Sequence, residues 1–528
     1  MDSLRIQRKI KILFLTTYNF AEVQPISLAN LYLGASLYHD SLHHLIDYEF
    51  LGFDDTKSNF DSIAHSILSK EPDILFVGCY VWNEKLIKNV TRIVREKAKQ
   101  VTIIMGGLSV LYGCESFNKD YPEVDLFVRG EGEEVILDLV SNYISTDSKS
   151  AYLELAASLN GVSDHESFSS KHNERLAIDF DKVKSPFLIY NRKKSFFDYI
   201  EGDYKYLFME FSRGCIYTCA FCSFDAQALG FRSAGKSRIK EELDVVRNKN
   251  VHQIFFVDAI WGGRKNDAKS ALRYLAEEPL FYIEKGERKN TFLYGYFRPE
   301  LIDEEFAYLL HKAEFSMVQL GIQTLNENVD RIMRRNNVPQ ILKNVPYLRK
   351  YGVPFQVDLI VGFPGDTFEG LVDSIVFVTE KCRPTNFRCY TLAVNPGTPL
   401  ARLAEEKGKG WVNYDHDMKV LSSYSFNENE MERMVQFSNM AVALYDTYIT
   451  NQDLDYAINK DFLLNFFNFC QNRECSESDN VLNGHQFEEK NVDIISLLSK
   501  FDSRELNASN PRRNIYGQLY TRGGDVAV

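Results

Sequence analysis

Two periods alternate along this chain: short unbroken apolar runs, and stretches in which apolar residues return every three or four positions. Ile10 to Leu15, interrupted only by Lys11, is the first run, and after it Leu28, Leu31, Tyr32 and Ala35 fall at i, i+3, i+4 and i+7 on one helical face. Further strands are predicted at Tyr48 to Phe53, Ile74 to Cys79, Val101 to Met105 and Asp125 to Val128, and Ile136, Leu139, Val140 and Tyr143 repeat the helical spacing. Alternating strand and helix implies a parallel sheet covered on both faces, so residues 1–148 are expected to form a doubly wound, Rossmann-like or flavodoxin-like domain. Residues 149–200 are Ser-, Lys- and Asp-rich with no sustained period, and Ser185-Pro186 interrupts any helix, so a linker is expected there. From residue 201 the rhythm restarts, with strands predicted at Tyr206 to Phe211, Ile254 to Val257, Phe292 to Tyr296, Val318 to Ile322, Phe355 to Val361 and Arg388 to Ala393. Six such units over residues 201–412 predict a partial (β/α)6 TIM barrel, with chemistry at the C-terminal ends of its strands. Residues 413–528 are expected to be mainly helical, with Phe462, Phe466, Phe467 and Phe469 bunched as packing residues.

Composition narrows the class. A chain of 528 residues, 45% hydrophobic and 25% charged, is an ordinary globular one, too long for a single core. With 61 Lys+Arg against 73 Asp+Glu the net charge is −12, which argues against a phosphate backbone as the default partner. No apolar run approaches the about 18 residues that cross a bilayer, and the N-terminal basic residues Arg5, Arg8 and Lys9 are not followed by a signal-peptide core, so a cytoplasmic protein without a membrane span is expected.

Nine cysteines is an odd count, and three of them crowd at Cys215, Cys219 and Cys222. They form a C-x-x-x-C-x-x-C loop directly after the first predicted barrel strand, in the run Ser212-Arg213-Gly214-Cys215. Three thiolates so close in sequence can hold three corners of a cubane iron–sulfur cluster, leaving one iron open to a ligand. A zinc knot is the competing reading, but a closed structural zinc site needs four ligands, and no fourth Cys or His lies nearby in sequence.

The loop, with aromatic Phe221 before the third cysteine, resembles the signature of the radical S-adenosylmethionine (SAM) superfamily. In that family the open iron is chelated by SAM, and one-electron reduction yields a 5′-deoxyadenosyl radical. The resemblance implies Cys215, Cys219 and Cys222 as ligands of a 4Fe-4S cluster, and Phe221 beside SAM. Gly321-Ile322-Gln323, then Arg334-Arg335, then Asp358-Leu359-Ile360-Val361-Gly362-Phe363-Pro364-Gly365-Asp366-Thr367, resemble blocks of radical enzymes related to oxygen-independent coproporphyrinogen oxidases. By that resemblance Gln323, Arg335 and Asp358 contact the carboxylate, amine or ribose of SAM, roles that suit their chemistry. The alternative for each is helix capping or a surface ion pair. Asp258 and Arg298 join this set on their positions at the active face of a barrel alone.

In the first domain, Trp82-Asn83 follows the third strand, Gly106-Gly107 ends the fourth, and Arg129-Gly130-Glu131-Gly132-Glu133 ends the fifth. This set resembles the cobalamin-binding domain of the class B, cobalamin-dependent radical SAM enzymes. Gly106, Gly107, Gly130 and Glu131 are then expected to lie against the cofactor, glycines letting a large ring approach the backbone. Tyr80 and Trp82 are expected under the corrin and Asn83 at its amide rim, with Trp82 as a core aromatic the alternative. No D-x-H-x-x-G motif is present, so no histidine is assigned to cobalt. Cys79 reads as buried packing, and an auxiliary cluster from Cys382, Cys389, Cys470 and Cys475 is the less economical reading of those residues.

The resemblance implies a methyltransferase acting on an unactivated carbon of a small-molecule or peptide-derived substrate. Its electron donor would be a carrier such as flavodoxin or ferredoxin. The rivals are ring contraction or oxidative cyclisation with the same cofactors, methylthiolation of tRNA, and a non-enzymatic cluster carrier. The charge of −12 opposes the tRNA reading, and an open iron opposes the carrier.

Overall fold

The computed structural model describes residues 8–18, 27–54, 58–171, 174–190, 194–199, 205–223, 229–333, 336–450 and 459–471. Two six-stranded sheets organise it. The first takes β1 (Ile10–Tyr18), β2 (Ile46–Asp54), β3 (Ile74–Gly78), β4 (Thr102–Gly106), β5 (Leu126–Val128) and β6 (Val162–Ser163) in the order β2-β1-β3-β4-β5-β6. The first five are parallel and β6 is antiparallel. Continuous apolar runs are what a parallel sheet covered on both faces demands, and Ile12, Leu13, Phe14 and Leu15 are all buried. In this order the chain switches sides between β1 and β3, the crevice where doubly wound sheets take ligands.

The second sheet takes β7 (Tyr206–Met209), then, past the short hairpin β8 (Ser212–Arg213) and β9 (Arg232–Ser233), β10 (Gln253–Phe256). A second hairpin, β11 (Phe281–Glu284) and β12 (Glu287–Asn290), precedes β13 (Phe292–Phe297), β14 (Met317–Gln323), β15 (Phe355–Val361) and β16 (Asn386–Thr391). The order is β16-β15-β14-β13-β10-β7, every pairing parallel, with β7 and β16 as the two edges: an open barrel. The six strands fall where the apolar runs predicted them; the two short two-stranded ribbons carry no signal in sequence, because two- to four-residue strands have no period of their own.

The region read as a linker is built into the protein. Its first part is helix Lys149–Ala157 followed by β6, which extends the first sheet. Ile178, Phe180, Val183, Phe187, Phe196 and Phe197 lie in one core with helix Leu28–Tyr38 and the barrel. That helix buries nine of its 11 residues, more than the single face predicted, because it faces the first sheet on one side and the barrel on the other. Beyond the barrel, hairpin β17 (Val412–Tyr414) and β18 (Val420–Ser423) precede helix Glu428–Thr450. Met434, Phe437, Met440, Ala441 and Leu444 of this helix are buried at helical spacing, and Tyr445 donates to the Pro384 carbonyl (2.7 Å), so the helix shields the open edge at β16. Helix Lys460–Gln471 completes the described C-terminal region, and its Phe467 packs on Phe368 and Phe437, as the packing reading of the aromatic cluster expected. Among the described residues, no helix is long and apolar enough to cross a membrane.

Candidate active site

The cysteine loop leaves the barrel where expected, after β7, and its base is closed by the pairing of Ser212 with Ser233 and Arg213 with Arg232. Its far side is pinned by the backbone of Ala220, which donates to Met333 and accepts from Leu400 (3.3 and 2.7 Å). Cys219 is buried, and Cys215 and Cys222 are half-buried. Phe221 turns edge-to-face onto Phe363 of the G-F-P-G segment, ring centroids 5.4 Å apart, which ties the loop to the turn after β15.

Two residues expected at SAM brace this loop. Asp258, buried just beyond β10, accepts from the Phe211 amide (3.2 Å to each oxygen) and from the Ser212 hydroxyl (2.5 Å). Both its oxygens face the strand end that launches the cysteines, and burial pushes its pKa up to about 7. Arg298 pairs with Glu300 (3.0 Å from Nε), lies over the Tyr217 ring at 4.2 Å, and brings a guanidinium nitrogen to 3.9 Å from Cys219 Sγ. Its charge supports the loop beside the thiol. Both residues hold the cysteine loop at the barrel's upper rim.

The inner face of the barrel carries the other two. Strand alternation puts Gln319 and Gly321 on one face of β14, ahead of the irregularity at Gln323. Register sets Gly321 beside Asp358 and Asp358 beside Arg388. Asp358 is buried and accepts from Gln356 (2.7 Å) and from Gln319. Gln323 has φ of 72°, a left-handed conformation at the irregularity where β14 meets β15. Among the described residues, the buried carbonyl oxygens of both Gln319 and Gln323 have no hydrogen-bond partner. Two unmatched acceptors near the C-terminal end of β14, one of them on the side chain that donates to Asp358, call for a ligand rich in N–H or O–H donors. Tyr296, 41% exposed, neighbours this group, and its phenol is pushed up by burial and by the charge of Asp358. Gln319 carries no sequence signal of its own; its place beside Asp358 comes only from the pairing of β14 with β15. Arg335 lies outside the described residues.

At the mouth of the first sheet the predicted residues separate into two kinds. Tyr80 and Trp82 stack face to face, centroids 4.7 Å apart and planes 5° off parallel, with Trp82 61% exposed. The core-aromatic reading of Trp82 therefore falls. Asn83, by contrast, is buried and donates to Thr17 (2.9 Å) and the Gly78 carbonyl (3.0 Å), while accepting from the Tyr80 amide (2.8 Å). Its amide organises the loop and is not offered to a corrin rim. Gly106 closes β4 opposite Gly78, and its carbonyl accepts from the Cys79 amide (2.8 Å). Gly107 and Gly130 both have φ of 103°, where a Cβ would meet the backbone of Cys79 and of Leu176 respectively. Protein, not ligand, explains these glycines.

Glu131 departs furthest from its expected role. Its carboxylate accepts from the Ile178 amide (2.7 Å) and pairs with Arg232 (2.5 Å) and Arg213 (3.4 Å), both on the hairpin at the base of the cysteine loop. Cys79 is buried against Tyr121 with its thiol pushed up to about 12 by burial, a packing residue as read. Cys382 and Cys470 are also buried; burial pushes the Cys382 thiol up to about 12, and the Cys389 thiol is raised for the same reason. Cys475 lies outside the described residues.

The radical SAM superfamily pattern matches residues 209–378, from the end of β7 past β15. Residues 209–378 thus carry a radical SAM domain. It is 25% identical over 339 residues to the cobalamin-dependent radical SAM methyltransferase TokK of Streptomyces tokunonensis, covering 62% of this chain and 48% of that protein. It is 23% identical over 424 residues to the anaerobic magnesium-protoporphyrin IX monomethyl ester cyclase of Rubrivivax gelatinosus, covering 76% of this chain and 70% of that one. The chain thus spans about half the length of the methyltransferase relatives it matches. Its fold is similar to that of the cobalamin-dependent SAM radical enzyme OxsB, solved with aqua-cobalamin and SAM bound, at a TM-score of 0.63 and 14% identity, covering 97% of this chain and 83% of that one. The likeness takes in the first sheet as well as the barrel.

Proposed function

We propose that this radical SAM enzyme uses cobalamin to methylate an unactivated carbon of a small-molecule or peptide-derived substrate. The observation that carries the reading is the pairing of two mouths: a three-cysteine loop with unmatched acceptors beside it, and a switch-point crevice topped by an exposed, pre-stacked tryptophan. In this reading Cys215, Cys219 and Cys222 hold three corners of the 4Fe-4S cluster and leave the fourth iron for SAM. Gln323 and Asp358 take the donors of SAM, its ammonium and ribose hydroxyls, which suits the Gln323 carbonyl that the protein leaves unmatched. The Tyr80–Trp82 stack supplies the apolar platform for the lower face of the corrin.

When bound, these cofactors supply a 5′-deoxyadenosyl radical and a transferable methyl group. The chain's own part is to orient and to exclude water. Asp258 and Arg298 hold the cysteine loop, Tyr296 of β13 stands near Asp358, and the substrate lies between the two mouths, close enough for hydrogen abstraction and methyl delivery. The electron comes from a flavodoxin- or ferredoxin-type donor, and a cytoplasmic location goes with such a donor.

The test gives the anaerobically reconstituted protein SAM with an isotopically labelled methyl group and pools of candidate metabolites and peptides. Labelled product together with 5′-deoxyadenosine is the expected result. The similarity to a cyclase, which spans more of this chain than the similarity to TokK, favours one second reading, oxidative cyclisation. That reading predicts 5′-deoxyadenosine and a product without label.

A further inference from the structure

Arg213 is two residues ahead of Cys215 and carries the densest ion-pair set in the described residues. Its guanidinium meets Glu133 (2.6 Å) and Glu131 (3.4 Å) at the end of the first sheet, and Glu210 (2.7 Å) at the end of β7. It also lies over the rings of Tyr32 and Phe180, at 4.9 and 4.7 Å. Arg238 stacks on Phe180 as well (4.6 Å) and pairs with Glu242. The group is buried: Arg213, Glu131, Glu133 and Glu210 each expose under 15% of the side chain. A buried fork of this kind is directional, because a planar guanidinium satisfies three carboxylates in one orientation only.

We infer that Arg213 is a positioning residue that locks the cluster-binding loop to the first sheet. Glu131 and Glu133, which read in sequence as a cofactor motif, serve as the first domain's half of the lock. Arg232 on the paired strand doubles it, holding Glu131 from the other side of the hairpin. The loop's position relative to the crevice at β1 and β3 is thus set by the N-terminal domain, so the distance between the two cofactor mouths is fixed before either ligand binds. The spectroscopic arm of the test rests on the function proposed above; the exchange arm does not.

The experiment uses the full chain, reconstituted anaerobically with iron, sulfide and hydroxocobalamin, as wild type, Arg213→Lys and Glu133→Gln. Hydrogen–deuterium exchange should quicken roughly fivefold or more at residues 211–223 in both variants, while β1 stays within about twofold of wild type and iron content is unchanged. Should Arg213→Lys fail to fold, Glu133→Gln, a change 78 positions or more from the loop it is to loosen, decides alone. In electron paramagnetic resonance, the spectral change of the reduced cluster on adding SAM should broaden in the variants, and relaxation enhancement of cob(II)alamin by the reduced cluster should report a wider spread of distances. Unchanged exchange at 211–223 overturns the inference. So does exchange that quickens equally in β1, since the group would then be a general structural bridge. A wild type that takes up no cobalt defeats the proposed function and leaves the exchange result to stand or fall by itself.

Discussion

The two sheets follow the same βα rhythm, yet they treat the residues at their C-terminal ends differently. At the barrel mouth Gln319 and the motif residue Gln323, both on β14, leave acceptors unmatched inside the protein. At the first sheet most motif residues are engaged by protein: Asn83 by its own loop, Gly107 and Gly130 by close backbone contact, Glu131 by two arginines of the other domain. Only the Tyr80–Trp82 stack faces outward. A ligand site is better marked by unmet valence and exposed aromatic surface than by glycine.

The sharpest test of the barrel side is Cys219→Ala. It should abolish the brown chromophore and take iron from about four per chain to near zero; retention of full iron would remove the ligand assignment. Next is Asp258, whose carboxyl is held up to about 7 by burial. Between about pH 4 and 7 the folded state binds the extra proton, so this group's contribution is complete at the acid end and is lost as pH rises, by as much as about 4 kcal/mol. Denaturant titrations at pH 5.5 and 7.5 should show that Asp258→Asn flattens this slope; an unchanged slope places the titration elsewhere.

The first sheet offers a paired test. Gly130→Ala should cost roughly 2–4 kcal/mol of stability, from the left-handed φ and the clash with Leu176, without altering cobalamin affinity of the folded fraction. Trp82→Ala should do the reverse, weakening hydroxocobalamin binding measurably while stability moves by about 0.5 kcal/mol or less, because the side chain is already in solvent. If both variants lose cobalamin alike, the division drawn between the two kinds of residue fails. Gln323→Leu should weaken SAM binding about 5- to 50-fold and leave iron content intact, since one charge-assisted hydrogen bond is removed. Equilibrium titration of SAM against the reduced cluster spectrum measures it.

Much of this architecture was legible in the chain. The apolar runs located the five parallel strands of the first sheet and all six of the barrel, since buried parallel strands announce themselves as unbroken hydrophobic segments. The cysteine loop was legible because three thiols at that spacing have few other uses. The linker was misread because its anchors, Ile178, Phe180, Val183 and Phe187, have no regular period; they dock singly between domains. Asp258, Arg298 and Glu131 were placed at the correct ends of their strands, but position along a strand does not tell whether a charged side chain meets a ligand or another loop. Gln319 and the Arg213 lock depend on which residues face each other across 80 or more positions or on an inner barrel face, and a single sequence encodes that only through the fold.

The central claim is that one chain holds both mouths as cofactor sites. Anaerobic purification with iron and cobalamin supplied, followed by an absorption spectrum and metal count on the same sample, tests it most directly. About four irons and one cobalt per chain are expected. Four irons with no cobalt would contradict it, leaving a radical SAM barrel whose N-terminal sheet serves another ligand.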